Sequence, residues 1–369
     1  MSLTLADVIL ELERIAPCEL QESYDNAGLI TGQYDAPLTG VMCTLDCTEA
    51  VVMEAVQKGC NLVVAHHPIV FRGLKRLNGN NHVERAVIAA IKNDIAIYAI
   101  HTNLDNVLNR GVNERIAQQI GLRADSLRIL APMRERLMKL TTFVPIDQAE
   151  RVREAIFTAG AGRIGQYDEC SFNTEGLGTF RAGQGTNPFV GKHGERHTEA
   201  EQRIEVILPR HLENAVMNAL REAHPYEEIA YDLIPLLNQW QEAGSGLLGE
   251  LPEPMPVADF LKHVKTSMQV SQLRFAEGDG RLINKVAVCG GAGSFLIGKA
   301  LRQADAYLTS DIKYHEFFEA ENSLLLCDLG HFESEKFTIS LISEIIRGKF
   351  PNFAVLLSET ETNPVKYYS

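Results

Sequence analysis

The chain has 369 residues, 45% of them hydrophobic and 22% charged, with a formal net charge of -13. That length supports a normal core and more than one domain. The acidic balance weighs against non-specific nucleic-acid binding and against anionic membrane surfaces, which both draw affinity from Lys and Arg, and it leaves room for a small-molecule ligand at a locally positive site.

The N-terminal stretch "MSLTLADVILELERIAP" is broken by Asp7, Glu11, Glu13 and Arg14, unlike a signal peptide. No run approaches the ~18 apolar residues of a membrane span. The seven cysteines are scattered, odd in number and without a CxxC pair, which fits buried apolar residues in a reducing compartment. The expected location is cytoplasmic.

In chain order, Leu3 to Ile15 reads as an amphipathic helix, with Leu5, Val8, Ile9 and Leu12 on one side. Gly40 to Leu45 reads as a strand, followed by a helix from Thr48 to Lys58. Asn61 to Ala65 is a strand, residues 82–93 a helix, residues 95–100 a strand and residues 112–120 a helix. This alternation predicts a mostly parallel sheet with helices on both faces. Residues 128–236 have another rhythm, β-α-β twice, which predicts a ferredoxin-like insert. The last third returns to alternating strands and helices, with a strand at 285–288, "CGGAGSFL", a helix to Arg302, a strand at 306–308, a helix at 312–321, a strand at 324–327, a helix at 334–346 and a final strand at 353–357. The predicted fold is thus a discontinuous α/β domain, residues 1–127 and 237–369, interrupted by an α+β insert.

Three predicted strands end in histidine and carboxylate. "NLVVAHHPIVF" ends a core run on His66 and His67; "IYAIHTNLDNV" gives His101 and then Asp105; "LLLCDLGHFESEKF" gives His331 and Glu335. The C-terminal edge of a parallel sheet is where such folds keep ligand sites. Adjacent strand residues point to opposite faces, so His66 and His67 are expected to converge only where the strand has ended and Pro68 turns the chain. At helical spacing, His331 and Glu335 share one face. His66, His67, Asp105, His331 and Glu335 combine imidazole with carboxylate, a set suited to Zn, Fe, Mn, Co or Ni. Five ligands exceed one catalytic tetrahedral site and suit two divalent ions with a bridging carboxylate, Glu335 or Asp105. His101 is a candidate ligand or orienting group; Asp311 and His315 are candidates for proton transfer. Gly290, Gly291, Gly293 and Ser294, between a strand and a helix, are a candidate phosphate cradle, although such turns are also common structural elements. His224 reads as structural. Asp25 and Asp46 are candidates for orienting the ligands.

"DNAGL", "LDCT", "AHHPIVF", "HTNLD", "YLTSDIKYHE" and "DLGHFESE" together resemble the signature segments of the Nif-three-like (YbgI/YqfO) family, also described as GTP cyclohydrolase type 2 homologues. The resemblance spans nearly the whole chain. It implies a dinuclear metal site on the five residues above, a PII- or CutA-like insert and a toroidal homohexamer. It also implies a hydrolase in which a metal-bridging hydroxide attacks a small nucleotide-like or phosphorylated substrate. Ser310 departs from the glycine found there in many relatives. The alternative expectation is a non-enzymatic metal-binding regulatory or scaffold protein, with the ring and insert binding a partner or small ligand.

Overall fold

The computed structural model describes residues 3–368. The chain divides into two compact units: one runs to Ala131 and resumes at Glu242, and the other is Pro132–Gln241. The first unit begins with α1 (Leu5–Ile15), β1 (Gly28–Thr31), β2 (Val41–Asp46), α2 (Glu49–Gln57), β3 (Leu62–His67), α3 (His82–Lys92), β4 (Ala96–Ala99), α4 (Thr102–Asp105) and α5 (Val112–Gln119). The chain leaves it within β5 (Arg128–Arg134). The second unit holds β6 (Leu137–Pro145), α6 (Ala149–Thr158), β7 (Ser171–Arg181), β8 (Arg196–Pro209), α7 (Glu213–Ala223) and β9 (Tyr231–Leu236). The chain returns within β10 (Gln239–Met255) and continues through α8 (Val257–Ser267), β11 (Arg274–Ala276), β12 (Ile283–Ala292), α9 (Ile297–Ala300), β13 (Ala306–Ser310), β14 (Leu325–Asp328), α10 (His331–Glu335), α11 (Thr338–Lys349) and β15 (Val355–Leu357).

The first unit is α/β, built on two sheets. One has the order β1-β4-β3-β2-β15, with β4, β3, β2 and β15 parallel and β1 antiparallel at the edge. The other has the order β11-β14-β13-β12-β10-β5, with a parallel centre of β12, β13 and β14. The parallel strands read as unbroken apolar runs because both faces are covered. Leu62 to Ala65 and Ala306 to Ser310 are fully buried. The helices start where the sequence offers caps: Thr48 Oγ1 accepts from Val51 N at 3.3 Å, and Asn81 Oδ1 accepts from Glu84 N at 2.9 Å.

Two predicted elements differ. Residues 312–321 form a tight 3-10 segment, Tyr314–Ala320, instead of an α-helix. Asp311 adopts φ +58 and Ile312 N donates to Asp328 Oδ2, which pins the entry and shortens the element. The helix predicted at 334–346 is two, α10 and α11.

The second unit follows β-α-β-β-α-β order. Its antiparallel sheet, β7-β8-β6-β9, is the ferredoxin-like arrangement. Alternate residues Met138, Leu140 and Val144 of β6 and Ile204, Val206 and Leu208 of β8 form its core with Val152, Ile156, Val216 and Leu220 of the two helices. Among the described residues, no helix is long and apolar enough to cross a membrane.

Candidate metal centre

Three chain segments of the first unit bring the predicted residues together. β3 delivers His66, fully buried, and His67. Neighbouring β4 ends at Ala99; His101 follows, and the single turn α4 ends at Asp105. In the other sheet β14 ends at Asp328, the chain turns through Gly330 at φ +88, and α10 carries His331 and Glu335 one turn apart. The strand does not stop before the histidine pair, as the sequence suggested; β3 runs through His67, which pairs with Asp46. The two rings meet the centre by addressing different oxygens of one carboxylate.

That carboxylate is Glu335, which is 2% exposed. Its Oε1 lies 3.7 Å from His66 Nε2. Its Oε2 lies 3.0 Å from His67 Nε2 and 3.2 Å from His331 Nε2. Asp105 Oδ1 is 3.7 Å from His66 Nε2, and the Nε2 atoms of His67 and His331 are 3.3 Å apart. Three groups of side chains can each hold a metal ion: His66, Asp105 and Glu335; His67, His331 and Glu335; and His66, His67 and His101.

Every imidazole is oriented from behind. His66 Nδ1 is 2.8 Å from the Ile100 carbonyl, which can only accept, so Nδ1 carries the hydrogen and the neutral ring aims its Nε2 lone pair at the centre. His67 Nδ1 donates to Asp46 at 2.8 Å, His101 Nδ1 to Asp25 at 2.8 Å and His331 Nδ1 to Asp311 at 2.7 Å. Carboxylates and carbonyls behind histidines fix the ring and raise its basicity at metal sites. His66 Nε2 and Asp105 Oδ1 are buried without a hydrogen-bond partner. An orphaned buried polar atom costs about 1–3 kcal/mol, a cost that a cation between these two atoms would remove. The donor set therefore fits a metal ion.

The charge balance points the same way. Burial raises the Asp105 carboxyl well above its usual range, and the neighbouring Glu335 charge adds to this. Burial also disfavours the charged forms of His67 and His331. Asp46 and Glu335 nevertheless push His67 up to about 10, and Glu335 and Asp311 push His331 up to about 9. Burial works against the Glu335 carboxylate too, but its three histidine partners hold it well below the usual range. Without a metal the centre gathers protons because its carboxylates require positive charge.

A family model described as Duf34/NIF3 (NGG1p interacting factor 3) matches residues 3–364. The chain belongs to this family. It is 39% identical over 367 residues to a protein of Halalkalibacterium halodurans named GTP cyclohydrolase 1 type 2 homolog, covering 98% of each chain. A Bacillus subtilis protein of the same name is 38% identical over 367 residues, covering 98% of this chain and 97% of that one. Among solved structures, the Bacillus cereus protein related to NIF3 superposes with a TM-score of 0.86 at 37% identity, covering 100% of both chains.

In this DUF34/NIF3 chain the glycine-rich segment of β12 makes room for the centre. Gly291 sits at φ +62, and a Cβ there would lie 2.4 Å from Glu335 Oε1; one on Gly290 would lie 3.4 Å from Glu335 Cγ. The amides a phosphate would need are engaged: Gly290 N donates to Asn113 Oδ1 and Gly291 N to Ser334 Oγ. Gly293 is closed in by Thr309 and Tyr307, and Ser294 opens a short 3-10 turn. Ser310 donates to the Gly291 carbonyl at 2.5 Å, tying β13 to the same bend.

A cavity of about 980 Å³ opens onto the centre. His67, His101, Asp105, His331 and Glu335 line it, with Tyr24, Phe71, Phe295 and Arg274. Asp311 is on its wall. His315 is exposed, sets its ring against those of Tyr314 and Phe318, and is not part of the lining. His224 is buried in the second unit and bonds the Phe143 carbonyl. Two features had no sequence signal. Asp328 accepts from Arg274 Nη2, Ile312 N and Gly330 N, shaping the turn that launches His331. A C-terminal strap follows β15: Thr362 donates to Asp46 Oδ2 at 2.7 Å, the same Asp46 that orients His67.

Proposed function

We propose that this protein is a metal-dependent hydrolase holding two divalent ions. His66, Asp105 and Glu335 would hold one, and His67, His331 and Glu335 the other, with His101 as a further candidate ligand beside His66 and His67. The observation that carries this reading is the convergence of Nε2 atoms, each fixed from behind, on a buried carboxylate beside the unpartnered His66 Nε2 and Asp105 Oδ1. Zn, Fe, Mn, Co and Ni all match the nitrogen and oxygen donors. When bound, such ions lower the pKa of coordinated water toward ~7 and polarise a substrate oxygen.

The chain's own residues do the rest. Asp25, Asp46 and Asp311 hold the rings against rotation. Asp311, half exposed on the cavity wall, can take and return a proton at its carboxylate. Tyr24, Phe71 and His101 form an aromatic wall, with Tyr24 and Phe71 centroids 6.2 Å apart and Phe71 and His101 6.0 Å apart. The substrate in this reading is small and nucleotide-like or phosphorylated, in keeping with the names of the relatives. Water's oxygen joins the attacked atom, the bond to the leaving atom breaks, and the proton goes to that leaving atom.

The proposal extends to a cytoplasmic, toroidal homohexamer, with the second unit as a PII- or CutA-like module. A second reading, a metal-binding regulatory or scaffold protein, draws support from a separate cavity of about 600 Å³ in the second unit, lined by Phe143, Phe180, Phe189 and Tyr226. The first test is elemental analysis of untagged protein and of His67→Ala and Glu335→Ala. About two ions per chain, lost in the variants, with turnover of nucleotides by the loaded protein, supports the hydrolase. Two ions without turnover favours the second reading, and full metal content in Glu335→Ala refutes the ligand assignment. Native mass measurement tests the hexamer.

A further inference from the structure

We infer that the cavity selects a planar heteroaromatic ring that is neutral or carries at most one negative charge, and rejects a polyphosphate tail. This rests on the hydrolase reading above and narrows its substrate class. The cavity wall is strongly acidic. Beyond Asp105 and Glu335, its lining carries Glu22, Asp46, Asp311, Asp328 and Glu333. Among the described residues, Arg274 is the one Lys or Arg in the lining, and its guanidinium is already paired with Asp328 and bonded to the Ile312 carbonyl. Two divalent ions would still leave the lining net negative.

Apart from metal ions, a triphosphate is held by Arg, Lys or free backbone amides. The glycine-rich turn that the sequence offered for this has its Gly290 and Gly291 amides bonded internally. Like charges brought together across a binding surface act against a partner. The aromatic side chains supply the opposite preference. Tyr24, Phe71 and Phe295 are 61%, 45% and 65% exposed, apolar rings left open at the cavity. Exposed aromatic faces stack bases of any sequence. At about 980 Å³ the cavity has room for a purine nucleoside.

The test is equilibrium dialysis of the full chain, as purified and after Zn loading, against guanosine, GMP and GTP, with metal content measured on the same samples. Guanosine should bind most tightly and GTP at least about tenfold more weakly, a difference near 1.4 kcal/mol. Raising the salt from about 0.05 to 0.5 M should narrow that ratio, because ions screen the repulsion. Glu333→Gln, which keeps an acceptor for Asn363, should narrow it too. Phe71→Ala should weaken guanosine by about tenfold. GTP binding as tightly as guanosine, a ratio insensitive to both salt and Glu333→Gln, or no guanosine binding at millimolar concentration would each overturn the inference. The hydrolase reading fails separately, by the absence of metal in the same samples; the carboxylates of the lining still outnumber its cations, and the guanosine preference is still expected.

Discussion

Gly291→Ala tests the claim that β12 is bent to admit Glu335. The residue sits at φ +62, where an L side chain costs about 1–2 kcal/mol. The added methyl would also lie 2.4 Å from Glu335 Oε1, 3.3 Å from its Cδ and 3.4 Å from His331 Cε1. Neither side chain can swing clear, since Glu335 is buried and His331 is tied to Asp311. Overpacking of this kind costs about 1–3 kcal/mol. The two together predict a loss of roughly 2–5 kcal/mol, or about 4–9 °C in the melting temperature of a unit this size. Metal content should fall with stability, because the displaced atom is the oxygen facing His66 and Asp105. Gly298→Ala is the control: it lies in α9, and its Cβ would meet nothing within 4 Å. That variant should melt within about 2 °C of the parent. Calorimetry with elemental analysis on both variants decides the matter. If Gly291→Ala melts like Gly298→Ala and keeps its metal, the glycines are not there for clearance.

Other consequences follow from the same contacts. Asp46→Ala removes the acceptor behind His67 and should weaken metal affinity by about 10–100-fold in competition with a chromophoric chelator; unchanged affinity would mean that packing alone orients the ring. Stripping both ions should lower the melting temperature by about 15 °C, roughly 4 kcal/mol for each ion, relative to protein held at a thousandfold excess over the dissociation constants, and equal melting with and without metal would refute a site formed only in the folded chain. Glu54 anchors the C-terminal strap, accepting from Ser358 Oγ, Glu359 N and the N–H and hydroxyl of Thr360. Burial raises its carboxyl, but these donors and Lys58 outweigh it and bring the pKa from the usual 4.5 to about 2. A depressed carboxylate stabilises above its unfolded pKa and ceases to as pH falls through the folded one. The strap should therefore hold at pH 5 and come free between about pH 4.5 and 2, seen as a loss of amide protection at Glu359 and Thr360 relative to the intrinsic exchange rate at each pH. Glu54→Gln should loosen it at pH 7, and identical exchange in the variant would count against the anchor.

The parts of the centre that were legible in the sequence are those whose signal is local. An apolar run of strand length says that a segment is buried in a sheet, and a polar residue at its end says where burial stops; "NLVVAHH" and "IYAIH" carry both facts. His331 and Glu335 were legible as a pair because four residues make one helical turn, whatever the rest of the chain does. Burial does not say which neighbour covers a strand, so the first unit's two sheets, and the return of β15 to lie beside β2, left no mark in the pattern. Nor does a pattern tell clearance from binding. "CGGAGS" is written alike whether its glycines free amides for phosphate or let a carboxylate approach; only the position of Glu335, far along the chain, separates the two. His315 fails for a related reason. A histidine four residues after Asp311 would face the same way on an α-helix, but Asp311 at φ +58 and the 3-10 segment behind it turn that ring outward.

The strap shows what this blindness conceals. Thr362 stands in "SETETNP", a polar tail with no periodicity, yet it bonds the Asp46 that orients His67. Its acceptor lies 316 residues away in sequence, so nothing local encodes the contact. The order of the tail and the aim of a candidate ligand are thereby linked through one carboxylate: Asp46 Oδ1 serves the ring and Oδ2 serves the strap. Any change that releases Thr362 removes the bond that holds Asp46 Oδ2. The centre is therefore framed by the ends of β3, β4 and β14, by the carboxylates behind their histidines and by the C-terminal tail.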